Sequence, residues 1–238
     1  MNTIGRRRAM AALLGGVAVA IGVIACGGVG SGGTGASYTS GAVTGFGSVI
    51  VAGVRYDDSR ATVTDDGGAL SDAAALRLGM IVDIESTPGS AVAQSIRYRS
   101  ELVGPVAAVD TAAARLTVLG QPVALLSSTV VDAASLPGGL ADLAPGDVVE
   151  VYGQFDAAAG RITATRLERI GGVPAYKLRG PVSAVDAPAR RFMIGGLMID
   201  SSGLPADAVA RIEVGRFVRV TLQTVPNGNV WVAQTLVA

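Results

Sequence analysis

Histidine is absent from the sequence, and cysteine occurs once, as Cys26. Without an imidazole base or a second thiol, Ser-His-Asp and Cys-His nucleophilic designs are excluded. The usual ligands of zinc and of most transition metals go with them, so no metal site and no cofactor is expected. A serine–lysine arrangement would have to use Lys177, the only lysine, between Tyr176 and Leu178 where a strand begins. No partnered serine marks it, and it reads as a solvated rim residue. Carboxylate pairs remain, because acid–base hydrolysis of a glycoside needs only two acids. Asp57-Asp58 and Asp65-Asp66 are such pairs by composition, but Asp65-Asp66-Gly67-Gly68 also supplies the left-handed conformations of a hairpin turn. The alternating Asp-x-Asp-x-Asp-Gly spacing of a calcium loop is missing. Gly45-Phe46-Gly47 and Gly195-Gly196 are not followed by the lysine and hydroxyl residue of a phosphate loop. No catalytic residue is assigned, and the protein is expected not to be an enzyme.

What is left for recognition is aromatic. Exposed rings give a flat stacking surface for bases or sugars, and the candidates are Tyr152, Phe155, Tyr176, Phe192 and Trp231. Phe217 and Trp231 lie on repeating strands and are expected in the core. Tyr152 and Phe155 flank Gly153 at a strand end and are the better exposed pair, hence the candidate ligand-binding residues.

The elements that would position them follow from a pattern that occurs three times. Gly79-Met80-Ile81-Val82-Asp83-Ile84, Gly146-Asp147-Val148-Val149-Glu150-Val151 and Gly215-Arg216-Phe217-Val218-Arg219-Val220 each place a charge between two branched aliphatics. That period of two is a half-buried strand. Since the charge takes either sign, its side is expected to face water. Gly104-Pro105-Val106-Ala107-Ala108-Val109-Asp110 and Gly180-Pro181-Val182-Ser183-Ala184-Val185-Asp186 open two of the units. Ile50–Tyr56, Leu116–Leu125 and Phe192–Ile199 then read as single strands bent at a central glycine. Each unit closes on Ala-x-x-aliphatic: Ala93 to Ile96, Ala164 to Leu167, Ala233 to Leu236. Those two residues have opposite parity, so both point inward only if a bulge separates them. Half of the residues are hydrophobic and only 4% aromatic, which suits small barrels filled with Val, Ile, Leu and Ala. The expected fold is all-β, with three tandem small β-barrel repeats at 42–100, 101–172 and 173–238. The first two are expected to form a rigid pair, and Ile170-Gly171-Gly172-Val173-Pro174 a looser joint to the third.

Residues 1–25 read as an export signal, with Arg6-Arg7-Arg8 before an apolar run that ends at Ile24. Val23-Ile24-Ala25-Cys26 resembles the bacterial lipobox, which implies Val23, Ile24 and Ala25 as the signal-peptidase recognition residues and Cys26 as the lipidation site. Arg7-Arg8 also admits a twin-arginine reading. Residues 26–41 are expected to be the lipidated cysteine and a flexible glycine-rich tether, with a span on the order of 20 Å. Gly27 after the cysteine points to the outer membrane of a Gram-negative bacterium. Of the 19 basic side chains, cleavage removes three (Arg6, Arg7, Arg8), leaving 16 against 19 acids. That balance offers no footprint for a phosphate backbone, so nucleic acid is excluded as a partner.

Thr44-Gly45-Phe46-Gly47-Ser48-Val49, Val118-Leu119-Gly120-Gln121-Pro122-Val123, Gly146 to Val151 and Ala164-Thr165-Arg166-Leu167-Glu168 resemble domain-of-unknown-function family 5666. The resemblance covers the mature chain and is clearest in the second unit; the third departs, with Arg216 and Arg219 where the second has Asp147 and Glu150. It implies tandem small barrels of the oligonucleotide/oligosaccharide-binding (OB) type in an envelope lipoprotein, and no activity. Three readings stand. The first is a non-catalytic envelope lipoprotein that acts as a scaffold for an envelope protein or polysaccharide. The second is an oligosaccharide- or polymer-binding module, marked by solvent-facing aromatics on one face. The third is a carboxylate hydrolase, which needs two acids converging in one cleft with one of them raised in pKa.

Overall fold

The alternation of branched and charged residues builds the strands it predicts. The computed structural model describes residues 37–238. It begins with β1 (Ser37–Gly45), β2 (Val49–Val51), β3 (Val54–Tyr56), β4 (Thr62–Thr64), β5 (Leu70–Ser71), β6 (Ile81–Ser86) and β7 (Ala93–Arg99). Next come β8 (Leu102–Asp110), β9 (Arg115–Val118), β10 (Gln121–Val131), β11 (Val148–Asp156) and β12 (Arg161–Arg169). The last are β13 (Tyr176–Asp186), β14 (Arg191–Ile194), β15 (Leu197–Asp200), the short helix α1 (Ala206–Val209), β16 (Phe217–Leu222) and β17 (Trp231–Val237). Val82, Ile84, Val149, Val151, Val218 and Val220 all point inward, each at most 1% exposed.

Strands β8 to β12 close on themselves. β8 pairs with β9, β9 with β10, β10 runs parallel to β12, β12 pairs with β11, and β11 returns to β8. The result is an all-β protein containing a closed five-strand barrel. Strands β13, β14, β15, β17 and β16 pair in the same order, again with one parallel pairing and a return to the start. In residues 37–99, the place of the single strand β10 is taken by the two short strands β3 and β4. The β3 side reaches β7 only through a parallel bridge between Asp57 and Val92.

The Ala-x-x-aliphatic endings carry the bulge their parity demands. Gln94, Thr165 and Gln234 are each the extra residue in a ladder, between Ser95 and Ala93, Arg166 and Ala164, and Thr235 and Ala233. Both ends of the motif therefore reach the interior: Ala93 and Ile96, and Ala164 and Leu167, are at most 2% exposed. In the third case Ala233 is buried and Leu236 packs half-buried against the core.

Three expectations need correction. The central glycines of Ile50–Tyr56, Leu116–Leu125 and Phe192–Ile199 do not bend a strand; each stretch is a hairpin turning on two residues. At Leu119 (φ 47°) and Gly120 (φ 67°) both turn residues are left-handed, the geometry that matches strand twist. A leucine there disguises the turn, and it is accommodated because Gly104 leaves room: a Cβ on Gly104 would lie 2.5 Å from the Leu119 side chain. Secondly, β1 starts at Ser37, inside the segment 26–41 assigned to the tether, because Ser37 to Ala42 pair with β6. Thirdly, the sheet-continuous pair is the second and third segments, not the first and second. Lys177 and Leu178 of β13 pair with Val103 and Leu102 of β8. The Gln121 amide donates to Ile194 O at 2.7 Å across that boundary, and one hydrophobic core runs through both. Residues 37–99 keep a separate core around Val51, Val82 and Ile96. Backbone pairing between the opening strands outweighs the loose composition of the 170–174 linker.

Candidate functional site

The charged side chains between the branched ones are turned to the seams between segments, not to water as expected. Asp83 of β6 is 7% exposed. It accepts from Ser40 Oγ at 2.8 Å and lies 3.3 Å from Arg97 Nη2 and 3.5 Å from Arg99 Nε. Burial pushes its carboxyl up, but the Ser40 hydrogen bond and the guanidinium charges outweigh it and hold the group below the usual range. Arg99 also reaches Glu101 Oε1 at 2.7 Å. The other oxygen, Oε2, stands 3.7 Å from Arg179 Nε, and neither atom makes a hydrogen bond. Burial raises the Glu101 pKa against the pull of Arg179 and Arg99.

Over this floor runs a groove of 650 Å³. Its walls are aromatic: Tyr38 of β1 (61% exposed), Phe155 of β11 and Phe217 of β16 (43% exposed). The Phe155 and Phe217 rings meet edge to face at 6.2 Å. The result is three rings around three guanidiniums and two carboxylates, contributed by all three strand-bearing segments among the described residues.

A second cluster ties the first segment to the third. Asp66, in the β4–β5 turn, receives Lys177 at 3.1 Å, Arg219 at 3.5 Å and Arg179 at 3.9 Å, and Arg219 also donates to the Asp66 carbonyl. Arg179 and Arg219 are directly opposed across the β13–β16 ladder, a like-charge pair that is unfavourable without a counter-ion. Asp66 is that counter-ion. Lys177 is therefore no rim residue: its side chain is 17% exposed and held by this carboxylate. Its neighbour Asp65 does what was expected, accepting Gly67 and Ala69 N–H to close the turn.

Beside it lies a cavity of 350 Å³ between β11, β12 and the first segment. Glu150 and Glu168 face each other directly across β11 and β12 and both line it. Arg166 clamps Glu168, with Nη2 at 2.7 Å and Nε at 3.1 Å from Oε2. Glu150 makes no ion pair among the described residues, and burial raises its pKa. This is the arrangement of acids that a carboxylate hydrolase would need. The two carboxylates, however, rise from adjacent strands on one wall, and a glycosidic bond must be flanked from two sides.

The sequence-predicted aromatics separate. Tyr152, expected exposed, is 2% exposed: it shares the outward parity of Glu150, but there it packs on Met80 and Ile81 of the first segment. Phe155 does line the groove. Phe217, expected in the core, is one of the groove's walls. Tyr176 and Phe192 are buried, and Trp231 is half-buried against Tyr176 at 5.5 Å. Tyr38, Arg97, Arg99, Glu101 and Arg179 were missed, although the alternation Arg97-x-Arg99-x-Glu101 was available as a signal. Cys26, expected as the lipidation site, and Val23, Ile24 and Ala25, expected as its recognition residues, lie outside the described residues.

The segment from β8 to β12 is a complete barrel that supplies one groove wall and the acid pair. Residues 103–168 match the family described as Domain of unknown function (DUF5666). No curated protein matches the chain. The DUF5666 match begins one residue into β8 and stops one short of the end of β12, so it coincides with the closed barrel. Phe155, Glu150, Tyr152 and Glu168 fall within it, whereas Tyr38, Phe217 and the groove's arginines lie outside.

Proposed function

We propose that the protein is a non-catalytic binding module of the cell envelope, made of three tandem barrels of the DUF5666 kind. The shared order of pairing in β8–β12 and β13–β17, and its near-repetition in β1–β7, support the tandem reading. That order, with a parallel pairing before the last strand and closure of the fourth onto the first, is the OB type. OB barrels commonly bind on the face of strands two and three. Here that face offers Thr117 and Pro122 in one barrel and Met193 and Met198 in the next, without a ring to stack on. The aromatics gather instead at the groove between the segments.

The ligand the groove suits is a stretch of polysaccharide. A sugar ring has an apolar C–H face that stacks on phenyl and phenol rings, and a rim of hydroxyls that both donate and accept. Planar guanidiniums and carboxylates are the partners such hydroxyls need. The observation carrying this reading is the trio Tyr38, Phe155 and Phe217 around Arg97, Arg99 and Arg179. Phe217→Ala is expected to weaken retention on envelope polysaccharide in affinity electrophoresis at least tenfold. Its melting temperature should move little, since the ring is 43% exposed. Wild-type protein that migrates unretarded through every envelope polysaccharide tried would remove the proposal.

The sequence alone supports the anchor: an export signal, lipobox and tether would hold the body at the membrane through acyl chains on Cys26, and more than one chain holds stably. Cys26→Ser should shift the protein out of the detergent phase or leave it as uncleaved precursor. Unchanged detergent partitioning would count against lipidation.

A further inference from the structure

Among the described residues, like charges are opposed twice across neighbouring strands, and only one of the pairs is fully answered. Arg179 and Arg219 have Asp66 between them. Glu150 and Glu168 have Arg166, whose side chain is 5% exposed and committed to Glu168 and to Asp132 at 2.8 Å. Lys177, the other nearby cation, is engaged by Asp66 and makes no ion pair with Glu150 among the described residues. Glu150 is thus left as a carboxylate without an ion pair, with only the more distant Lys177 charge acting on it, at the edge of a 350 Å³ cavity, a volume within the range of small-ligand sites.

A second observation points the same way. Ser100 lines this cavity and is 1% exposed, yet its hydroxyl makes no hydrogen bond. The hydroxyl acts on Glu150 as a hydrogen-bond donor that draws its carboxyl down, although no hydrogen bond of ordinary geometry closes between them. A buried hydroxyl left unpaired is costly, and it is satisfied if a donor sits between it and the carboxylate. The phenol rings of Tyr98 and Tyr152 form the adjacent wall, an apolar surface for a ligand's carbon chain. A metal ion is the poorer fit, because among the described residues no three acidic side chains converge to hold one, and calcium takes six or more oxygens.

We propose that this cavity binds a small organic ammonium ion, its N–H groups donating to the Glu150 carboxylate and Ser100 Oγ with Tyr98 and Tyr152 against its carbon chain. The site is distinct from the groove and independent of what the groove takes. Calorimetric titration of the full chain with n-butylammonium, with 1-butanol and calcium as comparisons, tests it. Butylammonium should bind and raise the melting temperature, while butanol and calcium should not. Glu150→Gln keeps the shape and removes the charge. It should lower butylammonium affinity at least tenfold, melt no lower than the wild type without ligand, and lose the ligand-induced shift. Ser100→Ala should bind several-fold more weakly, and Phe217→Ala as tightly as wild type. Failure of butylammonium to bind at tens of millimolar, equal binding by Glu150→Gln, or a response to calcium instead would each overturn the assignment. If Glu150→Gln proves unfolded, the Ser100→Ala and butanol comparisons still decide it.

Discussion

Replacing Asp66 by asparagine is expected to cost the protein about 3 kcal/mol, near the lower end of what breaking a buried ion pair costs. The side chain keeps its volume and loses only its charge. Lys177 and Arg219 then face Arg179 without their counter-ion, and Arg179 keeps only Glu101 at 3.7 Å, each of the three with a side chain at most 22% exposed. Their partial access to water keeps the penalty from the upper end of the range. For a body of this size, a loss of that magnitude lowers the melting temperature by roughly 6–12 °C. Asp65→Asn makes the matching comparison. An amide oxygen still accepts Gly67 and Ala69 N–H, so that variant should melt within about 2 °C of wild type. Removing one cation in the Asp66→Asn background, by Lys177→Met, should recover part of the loss, because the two sites are in contact and their effects do not add. Asp66→Asn melting together with wild type would mean that the cluster holds nothing, and that the first segment is fastened elsewhere.

The strands were legible because a period of two is read locally. Val149 and Val151 flank Glu150, and nothing beyond the pleat is needed to send the valines one way and the glutamate the other. The bulges were legible for a similar reason: Ala164 and Leu167 have opposite parity, and one extra residue, Thr165, is the economical way to bury both. The hairpin at Leu119-Gly120 was not legible. Its turn type favours asparagine or glycine at the first position, and leucine is tolerated only because a residue fifteen positions earlier is Gly104. A local reading has no access to that pairing.

The site was less legible than the fold, and the reason lies in what charge says. Asp83, Glu150 and Arg219 occupy equivalent strand positions with different signs, which looked like indifference to the environment. In the folded chain each position has its own surroundings. Arg219 meets Asp66, Asp83 meets Arg97 and Arg99, and Glu150 is left over. The sign varies because the outward face of each strand meets its own neighbours, within the segment for Asp83 and across the seam for Arg219. The aromatics misled for the same reason. Phe217 lies on a strand whose inner face is core, but its own parity is outward, and outward there means the groove. Tyr152 is also outward, but what lies outside β11 at that point is Met80 and Ile81 rather than water. Which outward face is solvent and which is seam depends on how segments dock, and no single segment encodes that.

Val149→Asp should be the most damaging single change in the chain. The side chain is 0% exposed, opposite Gly104 on one side and Arg169 on the other, so an aspartate there has no room to swing out to water. Losing the buried valine costs about 1.5–3 kcal/mol, and an unpaired carboxylate in its place adds several more or forces protonation. The sum is on the order of the whole stability of an ordinary domain, about 5–15 kcal/mol. Val149 sits in the core that runs from Leu102 to Ala233 through both five-strand rings. The damage should therefore spread beyond the barrel that contains it, and both rings should lose structure in one transition. Circular dichroism on Val149→Asp is expected to show a largely unfolded chain at 25 °C. Val149→Ala should show one lowered transition, with β8–β12 and β13–β17 melting together when followed by amide exchange. Two separated transitions would mean that the pairing of Val103 with Lys177 joins the rings only at the surface. An aspartate variant as stable as wild type would place the side chain at position 149 outside the core altogether.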